Sequence, residues 1–459
     1  MQEKDEKLME KIISLCKRRG FIYPGSEIYG GLAGTYDYGP LGALLKKNVE
    51  NSWIEYFVRN RENMYLLDTS ILMHPRVWEA SGHTSEFIDP LVDDLLTNKR
   101  YRADHLLENA GVNTENLTIE EMDKKIKELG LKSPEGNKLS EVRKFNLMLE
   151  TEMGAVKESA VHTYLRPEEA QSMFINFKNV LQSLSPKIPF GIAQIGKAFR
   201  NEITPRDFNY RVREFEIMEF EYFIHPNSPW EAYFDNFLLE QKEWLSKVGV
   251  NTSKLHPLEH PEQSRAHYSR KTVDLEFEYP FGIKELTGLS HRGDYDLRRH
   301  QEFSGEKMEI LEDQTGEKFI PHVIEPTVSV ERTILAILLS SYQEEGEGED
   351  KRVYLKLPPS MSPYKACVSP LLKNKPELVT YAKSVYEELK KEFGWIMWDD
   401  NGNIGKRYRR QDEIGTPWCI VIDFDTLSDE CVTIRDRDTG QQVRVKKQEV
   451  ISYIKERMN

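Results

Sequence analysis

One short stretch, Gln343 to Lys351 (QEEGEGEDK), does most to limit the folds open to this chain. Its acids and glycines offer no apolar side chain to a core, so it reads as a linker between two folding units. The sequence on its two sides differs in kind. Before it, neighbouring segments pair as strands: Ile192 to Glu202 with Arg213 to Ile224. A further strand, Thr272 to Tyr279, alternates, with Val273, Leu275, Phe277 and Tyr279 on one face and Asp274, Glu276 and Glu278 on the other. After the linker the order is strand, helix, strand: Val353 to Leu357, Pro376 to Phe393, Trp395 to Trp398, Cys419 to Phe424. That order predicts a compact α/β unit with a mostly open sheet. At 459 residues the chain exceeds one ordinary core in any case.

Helical spacing predicts amphipathic helices over Lys4 to Arg19, about Leu41 to Asn60, and from near Val328 to near Tyr342. Met64 to Leu72 reads as a buried strand. Gly25 to Gly42 is rich in glycine and tyrosine but lacks GxxxxGK[ST], so a Walker phosphate loop is unsupported. From about Thr84 to Ala160 the composition shifts to Glu, Lys and Asn, with one helical stretch at Thr118 to Leu129. This region is read as an insertion into a first unit covering 1–342, with the second unit covering 352–459.

Lys plus Arg total 63 against 76 Asp plus Glu, a net charge of -13, which excludes a generic nucleic-acid binder. Any RNA surface must be a local basic patch, and Gly405 to Arg410 supplies one with an interleaved tyrosine. No apolar stretch reaches the roughly 18 residues of a membrane span, and Met1 to Lys7 lacks a signal-peptide core. Four cysteines, Cys16, Cys367, Cys419 and Cys431, form no CxxC pair, so reduced thiols, no structural zinc and a cytoplasmic enzyme are expected.

Chemistry concentrates in the hairpin. On a strand alternate side chains share a face, which places Arg200 with Glu202, and Phe215 with Ile217, Glu219 and Glu221. Arginines, an aromatic ring and carboxylates over one floor suit a nucleotide, although a hairpin with solvated charges has the same periodicity. Glu168, Glu219 and Glu325 each lie beside apolar sequence, where several acids converging on one pocket would bind an ammonium group. Arg332, in the first turn of its helix, opposes the helix dipole, a cost that a bound anion offsets.

Taken together these segments resemble the dimeric type of glycyl-tRNA synthetase, a class II aminoacyl-tRNA synthetase, over nearly the whole chain. Phe199-Arg200-Asn201-Glu202 with the returning Arg211 and Phe215 looks like class II motif 2. Ile324 to Thr327 leading to Glu331-Arg332 looks like motif 3, and Leu41 to Asn60 with Met64 to Leu72 looks like motif 1. Ser81-Gly82-His83, Tyr101 to His105, Leu165 to Glu168 and Lys284-Glu285-Leu286 are similar to strings of the glycine enzymes. Ile404 to Tyr408 and Asp412 to Pro417 are similar to their anticodon-binding domain.

The resemblance implies an α+β catalytic domain, with an antiparallel sheet flanked by helices, and a C-terminal α/β anticodon-binding domain, in a homodimer. It implies ATP-dependent ligation of glycine to tRNA(Gly) through a glycyl adenylate, with Mg2+ accompanying ATP. Arg200, Glu202 and Arg332 would be the catalytic residues. Arg200 would hold the α-phosphate, and Arg211 and Arg332 the outer phosphates. Phe215 would stack on adenine with Arg332 on its opposite face, and Glu202 and Glu285 would meet the nucleotide or its magnesium. Asn201, Tyr210, Val212, Arg213, Glu214, Leu286, Ser329, Val330 and Glu331 complete the implied ATP site. Arg102, Glu168, Glu219, Glu325 and Thr327 would surround glycine, together with Phe215, Glu216, Ile217, Met218, Pro326, Val328 and Ser329. Lys406, Arg407, Arg409 and Arg410 would meet the tRNA.

The chain departs from the family pattern at Ser70, usually proline, and at Thr327-Val328-Ser329, where Ser-Ala-Gly is usual. Two other readings stay open. One is a class II enzyme for proline, threonine or serine, against which the Arg-Pro-Glu, Glu-Pro-Thr and Ser-Gly-His strings count. The other is a synthetase-like binding protein without catalysis, which should have lost the motif arginines that this chain keeps.

Overall fold

The computed structural model describes residues 2–114, 117–156, 159–266, 268–312, 316–348 and 351–458. Residues 115–116 and 157–158 of the expected insertion, and 349–350 of the acidic segment, lie outside the described residues.

The first sheet comprises β1 (Met64–Leu66), β2 (Phe190–Phe199), β3 (Glu214–Ile224), β4 (Leu255–Glu259), β5 (Lys271–Tyr279), β6 (Gly282–Gly293) and β7 (His322–Ser329). Its spatial order is β4-β5-β6-β7-β3-β2-β1, antiparallel throughout except that β1 runs parallel to β2. Alternation decides the two faces. Met218, Phe220 and Tyr222 of β3 point into the larger core with Trp53, Trp244 and Ile334, beneath helices Pro40–Trp53, Trp230–Lys247 and Val330–Ser341. The other face is covered at one end by helix Ala170–Leu184, where Phe190, Phe223 and Val323 pack against Phe174 and Phe177. Phe215, Ile217, Glu219 and Glu221 share that second face beyond its apolar end, which leaves polar chemistry on the floor of a cleft.

Several expected elements differ in extent. The strand expected to reach Leu72 stops at Leu66, and β2 ends at Phe199, before Arg200. The motif 1 helix continues as a π-helical segment, Ile54–Arg59, so its expected length is kept. The helix expected from Val328 begins at Val330, because Val328 and Ser329 still pair with β6 or β3.

The acidic segment is not a free linker. Tyr342–Glu345 pairs antiparallel with Arg352–Leu355, so the latter does not join the C-terminal sheet as the strand-helix-strand order had suggested. The physical reason is burial: Leu355, Leu357 and Met361 enter the larger core, which also takes Ile414 from the second unit. A separate core begins at Ala366. Its sheet comprises β8 (Ala366–Pro370), β9 (Ile396–Trp398), β10 (Trp418–Ile422), β11 (Cys431–Asp436) and β12 (Gln442–Lys446), in the order β9-β8-β10-β11-β12. β8, β9 and β10 are parallel and the last two pairings antiparallel. Helix Pro376–Phe393 buries Leu378, Ala382, Val385 and Leu389 on it. Cys367 and Cys419, remote in sequence, face each other across β8 and β10 as free, buried thiols.

The region read as an insertion carries its own small core of Val92, Ala103, Leu107, Met122, Ile126 and Leu139. Its helix Ile119–Glu128 starts at a capping box in which Thr118 and Glu121 satisfy each other's backbone N–H groups. Among the described residues no helix is long and apolar enough to cross a membrane.

Candidate active site

The cleft is lined by Arg200, Glu202, Tyr210, Arg211, Phe215 and Arg332, with Val212, Ile217, Glu285, Leu286, Thr327, Ser329 and Glu331, around about 570 Å³ of empty space. Most of the expected ATP-binding residues therefore meet in one place. Arg200 and Glu202 do so from irregular chain after β2, not from a strand. Alternation would send the consecutive residues Glu285 and Leu286 to opposite faces. The strand pairing shifts register opposite them, between Leu275 and Glu276, and at this bulge both line the cleft, Glu285 exposed and Leu286 buried in the larger core.

The charges here hold one another. Arg332 Nη1 lies 2.9 Å from Glu285 Oε2, and its guanidinium stacks 4.6 Å from the Tyr210 ring centroid. The Tyr210 hydroxyl donates to the Glu285 carbonyl at 2.9 Å. Arg332 brings Glu285 below the usual carboxylate range. Arg200 lies over both Phe215 and Phe87, at 5.3 Å from each ring. Glu331, buried, accepts from the Glu216 backbone N–H at 2.9 Å, and burial pushes its carboxyl up to about 7.

Four expected ATP-binding residues lie elsewhere. Val330 is fully buried in the core, and Glu214 pairs with Lys197 on the outside. Arg213 donates to the carbonyls of Ala33 and Glu202, and the Asn201 backbone N–H donates to the Leu147 carbonyl.

Deeper on the same floor the chemistry turns anionic. Carboxylate oxygens of Glu219, Glu221 and Glu325 all lie within 4.8 Å of one another. Arg292 anchors them from β6: it reaches Glu325 at 2.7 Å, grips Asp296 at 2.8 and 2.9 Å, and lies 3.9 Å from Glu168. The Tyr268 ring covers its guanidinium at 3.8 Å. Thr327 Oγ1 donates to Glu219 Oε2 at 3.2 Å, while Glu219 Oε1 and both oxygens of Glu221 meet no donor among the described residues. Burial pushes Glu219 up to about 8 and raises Glu325 and Glu221 well above the carboxylate range. Glu168 is the exception. Its burial works upward, yet His83 Nε2 at 3.4 Å, Arg292 and a 3.0 Å bond from Gln171 hold it below the usual range. His83 is set by Ser81, whose Oγ lies 2.8 Å from Nδ1.

Strand parity removes other expected glycine residues from this face. Glu216 pairs with Lys46, Met218 and Val328 are buried in the core below, and Pro326 pairs with Leu289. Ser329 caps helix Val330–Ser341 by accepting from the Arg332 backbone N–H. Arg102 is bound instead to Asp89 at 2.7 Å and Asp104 at 2.6 Å, with Glu202 among its charged neighbours. Glu221, Arg292, Asp296, Gln171 and Tyr268 had no role assigned from the sequence. Only Glu221 had a usable signal, its shared parity with Glu219.

Backbone space also shapes the floor. Gly196 of β2 lies opposite Ile217, and a Cβ there would sit 2.2 Å from Glu169 Oε1 and 2.3 Å from Arg166 Nη2, which are paired beneath the site at 3.0 Å. Gly196→Ala is expected to cost about 1–3 kcal/mol of stability by overpacking, read in a denaturant titration. An unshifted midpoint would mean the buried pair moves aside freely.

In the second unit the basic patch divides. Arg407 is buried and donates to the carbonyls of Pro370, Asp400 and Gly402, and Arg410 forks onto Asp399. Arg407 is therefore structural, which corrects its expected role in tRNA contact; Arg410 stays partly exposed, and Lys406 and Arg409 are exposed.

Residues 153–342 match the family model for the tRNA synthetase class II core domain (G, H, P, S and T), and residues 365–457 match the anticodon binding domain. The chain is 46% identical to a glycine–tRNA ligase of Geobacillus kaustophilus over 98% of its length and 99% of that protein. It is 46% identical to one of Clostridium acetobutylicum over 99% of the chain and 100% of that protein. It is 45% identical to one of Mycoplasmopsis synoviae over 97% and 99%. With its antiparallel sheet, its arginine-lined cleft and this full-length similarity, the chain belongs to the glycine–tRNA ligase family of class II tRNA synthetases.

Proposed function

We propose that the chain activates glycine with ATP and passes it to the terminal ribose of tRNA(Gly) on this single floor. The observation that carries the reading is the floor's division, with guanidinium groups and an aromatic ring at one end and clustered buried carboxylates, some of their oxygens lacking donors, at the other. Glu168, Glu219 and Glu325, with Thr327, receive the ammonium of glycine, and its carboxylate then points toward the arginines. Arg200 neutralises charge building on the α-phosphate, while Arg211 and Arg332 hold the outer phosphates and Phe215 carries the adenine. The carboxylate attacks the α-phosphorus in line and pyrophosphate leaves, so the protein contributes positioning and charge rather than covalent catalysis. Glu202 and Glu285 line the cleft and fit a hard divalent cation; Mg2+ held there would neutralise phosphate charge. No zinc enters this scheme.

Residues 1–342 form the catalytic unit and 352–459 the anticodon-binding unit, with Lys406 and Arg409 as the tRNA-facing cations of the predicted patch. The enzyme works as a cytoplasmic homodimer. The unusual Val328 and Ser329 have structural duties, in the core and at a helix cap, so they lend no weight to a non-catalytic relative. The test is ATP–pyrophosphate exchange with each proteinogenic amino acid, without tRNA. Glycine alone is expected to support exchange. Exchange with another amino acid moves the substrate assignment, and none at all from folded, ATP-binding protein defeats the enzyme reading.

A further inference from the structure

Glu221 lies on β3 next to Glu219 on the site face, fully buried, and neither of its oxygens meets a donor among the described residues. None of the steps above uses it. It shares the 4.8 Å cluster with Glu219 on its own strand and Glu325 on β7. The cation facing them, Arg292 of β6, is already divided between Glu325 and Asp296, the latter on helix Tyr295–Ser304. Glu168 and Glu169, just before helix Ala170–Leu184, add further negative charge toward Glu219. Carboxylates this close, with one guanidinium shared among them, cannot all ionise in a dry site; such groups keep a proton between them. Burial and the neighbouring acids act on Glu221 in the same upward direction.

We propose that Glu221 is a positioning residue that carries the cluster's proton in the free enzyme, donates it in a hydrogen bond to Glu219 or Glu325, and loses it to solvent when the ammonium of glycine arrives. The proposal rests on the glycine-pocket reading above and deepens it. The ammonium takes over the proton's role of neutralising the acids, so glycine binding and proton release are one event. Its sign follows. Where the free cluster is protonated, glycine binds more tightly as pH rises, and the dependence levels off once the free cluster has lost its proton.

The experiment is calorimetric titration of the full-length protein with glycine at one neutral pH, in two buffers of different ionisation enthalpy. The difference in heat counts protons. About one proton released per glycine is expected, and about none from Glu221→Gln, whose amide keeps a donor but has no proton to lose. That variant is also expected to bind glycine about tenfold more weakly and to lose the pH dependence of its glycine KM in the exchange assay. Wild-type binding without proton release overturns the proposal and leaves the pocket reading standing, as does equal release from the variant. The wild-type count needs no variant, so a misfolded Glu221→Gln leaves the proposal fully testable. If neither Glu219→Gln nor Glu325→Gln weakens glycine binding, the pocket reading fails and the proposal with it.

Discussion

Arg332→Ala is expected to lower glycine-dependent ATP–pyrophosphate exchange by about 10³-fold, mostly in kcat, while the protein stays folded. Two observations set that scale. Arg332 enters the cleft from the first turn of helix Val330–Ser341, so its charge adds to the positive end of the helix dipole in a field suited to phosphate. It also neutralises Glu285 at 2.9 Å, and without it that carboxylate stands uncompensated in the cleft proposed for the triphosphate. Loss is therefore larger than the removal of one attractive group. Arg332→Lys is expected to recover only part, because an ammonium neither spreads over the Tyr210 ring nor forks between two oxygens. A steady-state series in ATP and glycine checks this. A variant with nearly normal kcat and only a raised KM for ATP would place Arg332 in ground-state binding alone.

Arg292→Met is the second large effect, and it acts on stability before function. The side chain is 1% exposed and satisfies Glu325 and Asp296 at once, both of them buried. Removing one member of a buried ionic network leaves charges without partners or forces them to take protons, at a cost of about 3–5 kcal/mol. A denaturant titration should show the transition assigned to the first unit shift by that amount, with the second unit's core, which begins at Ala366, little changed. Arg292→Lys should recover little, because Asp296 and Glu325 are reached by different nitrogens of one planar group. Unchanged stability in Arg292→Met would show that the acids are already neutral and the arginine dispensable to the fold.

Local patterning carried the elements whose burial is periodic. Helix Pro376–Phe393 has the expected ends, and Val273, Leu275, Phe277 and Tyr279 are all buried on one side of β5. It also placed Phe215, Ile217 and Glu219 on one face, since strand parity is a property of the backbone alone. It overreached where a strand's end is decided by its neighbours. Arg200 lies just past the end of β2 although its backbone N–H still reaches the Arg213 carbonyl, and Leu355 stays out of the C-terminal sheet because the larger core accepts it. Arg407 and Arg410 show the same limit for charge: a basic run looks solvated until carbonyls and Asp399 close around it.

The sequence by itself determined the family, the two sheet types, and most residues of the nucleotide end of the site, because these rest on local strings and on side-chain alternation along single strands. Only the tertiary structure decided which acids share a pocket and which cation serves them. Arg292 and Glu325 come from adjacent strands, Asp296 from the helix beyond, and Glu168 from a loop far away in the chain. Their meeting depends on sheet register and on the bulge near Gly293, and burial then sets their charge; neither is written in any short stretch of residues.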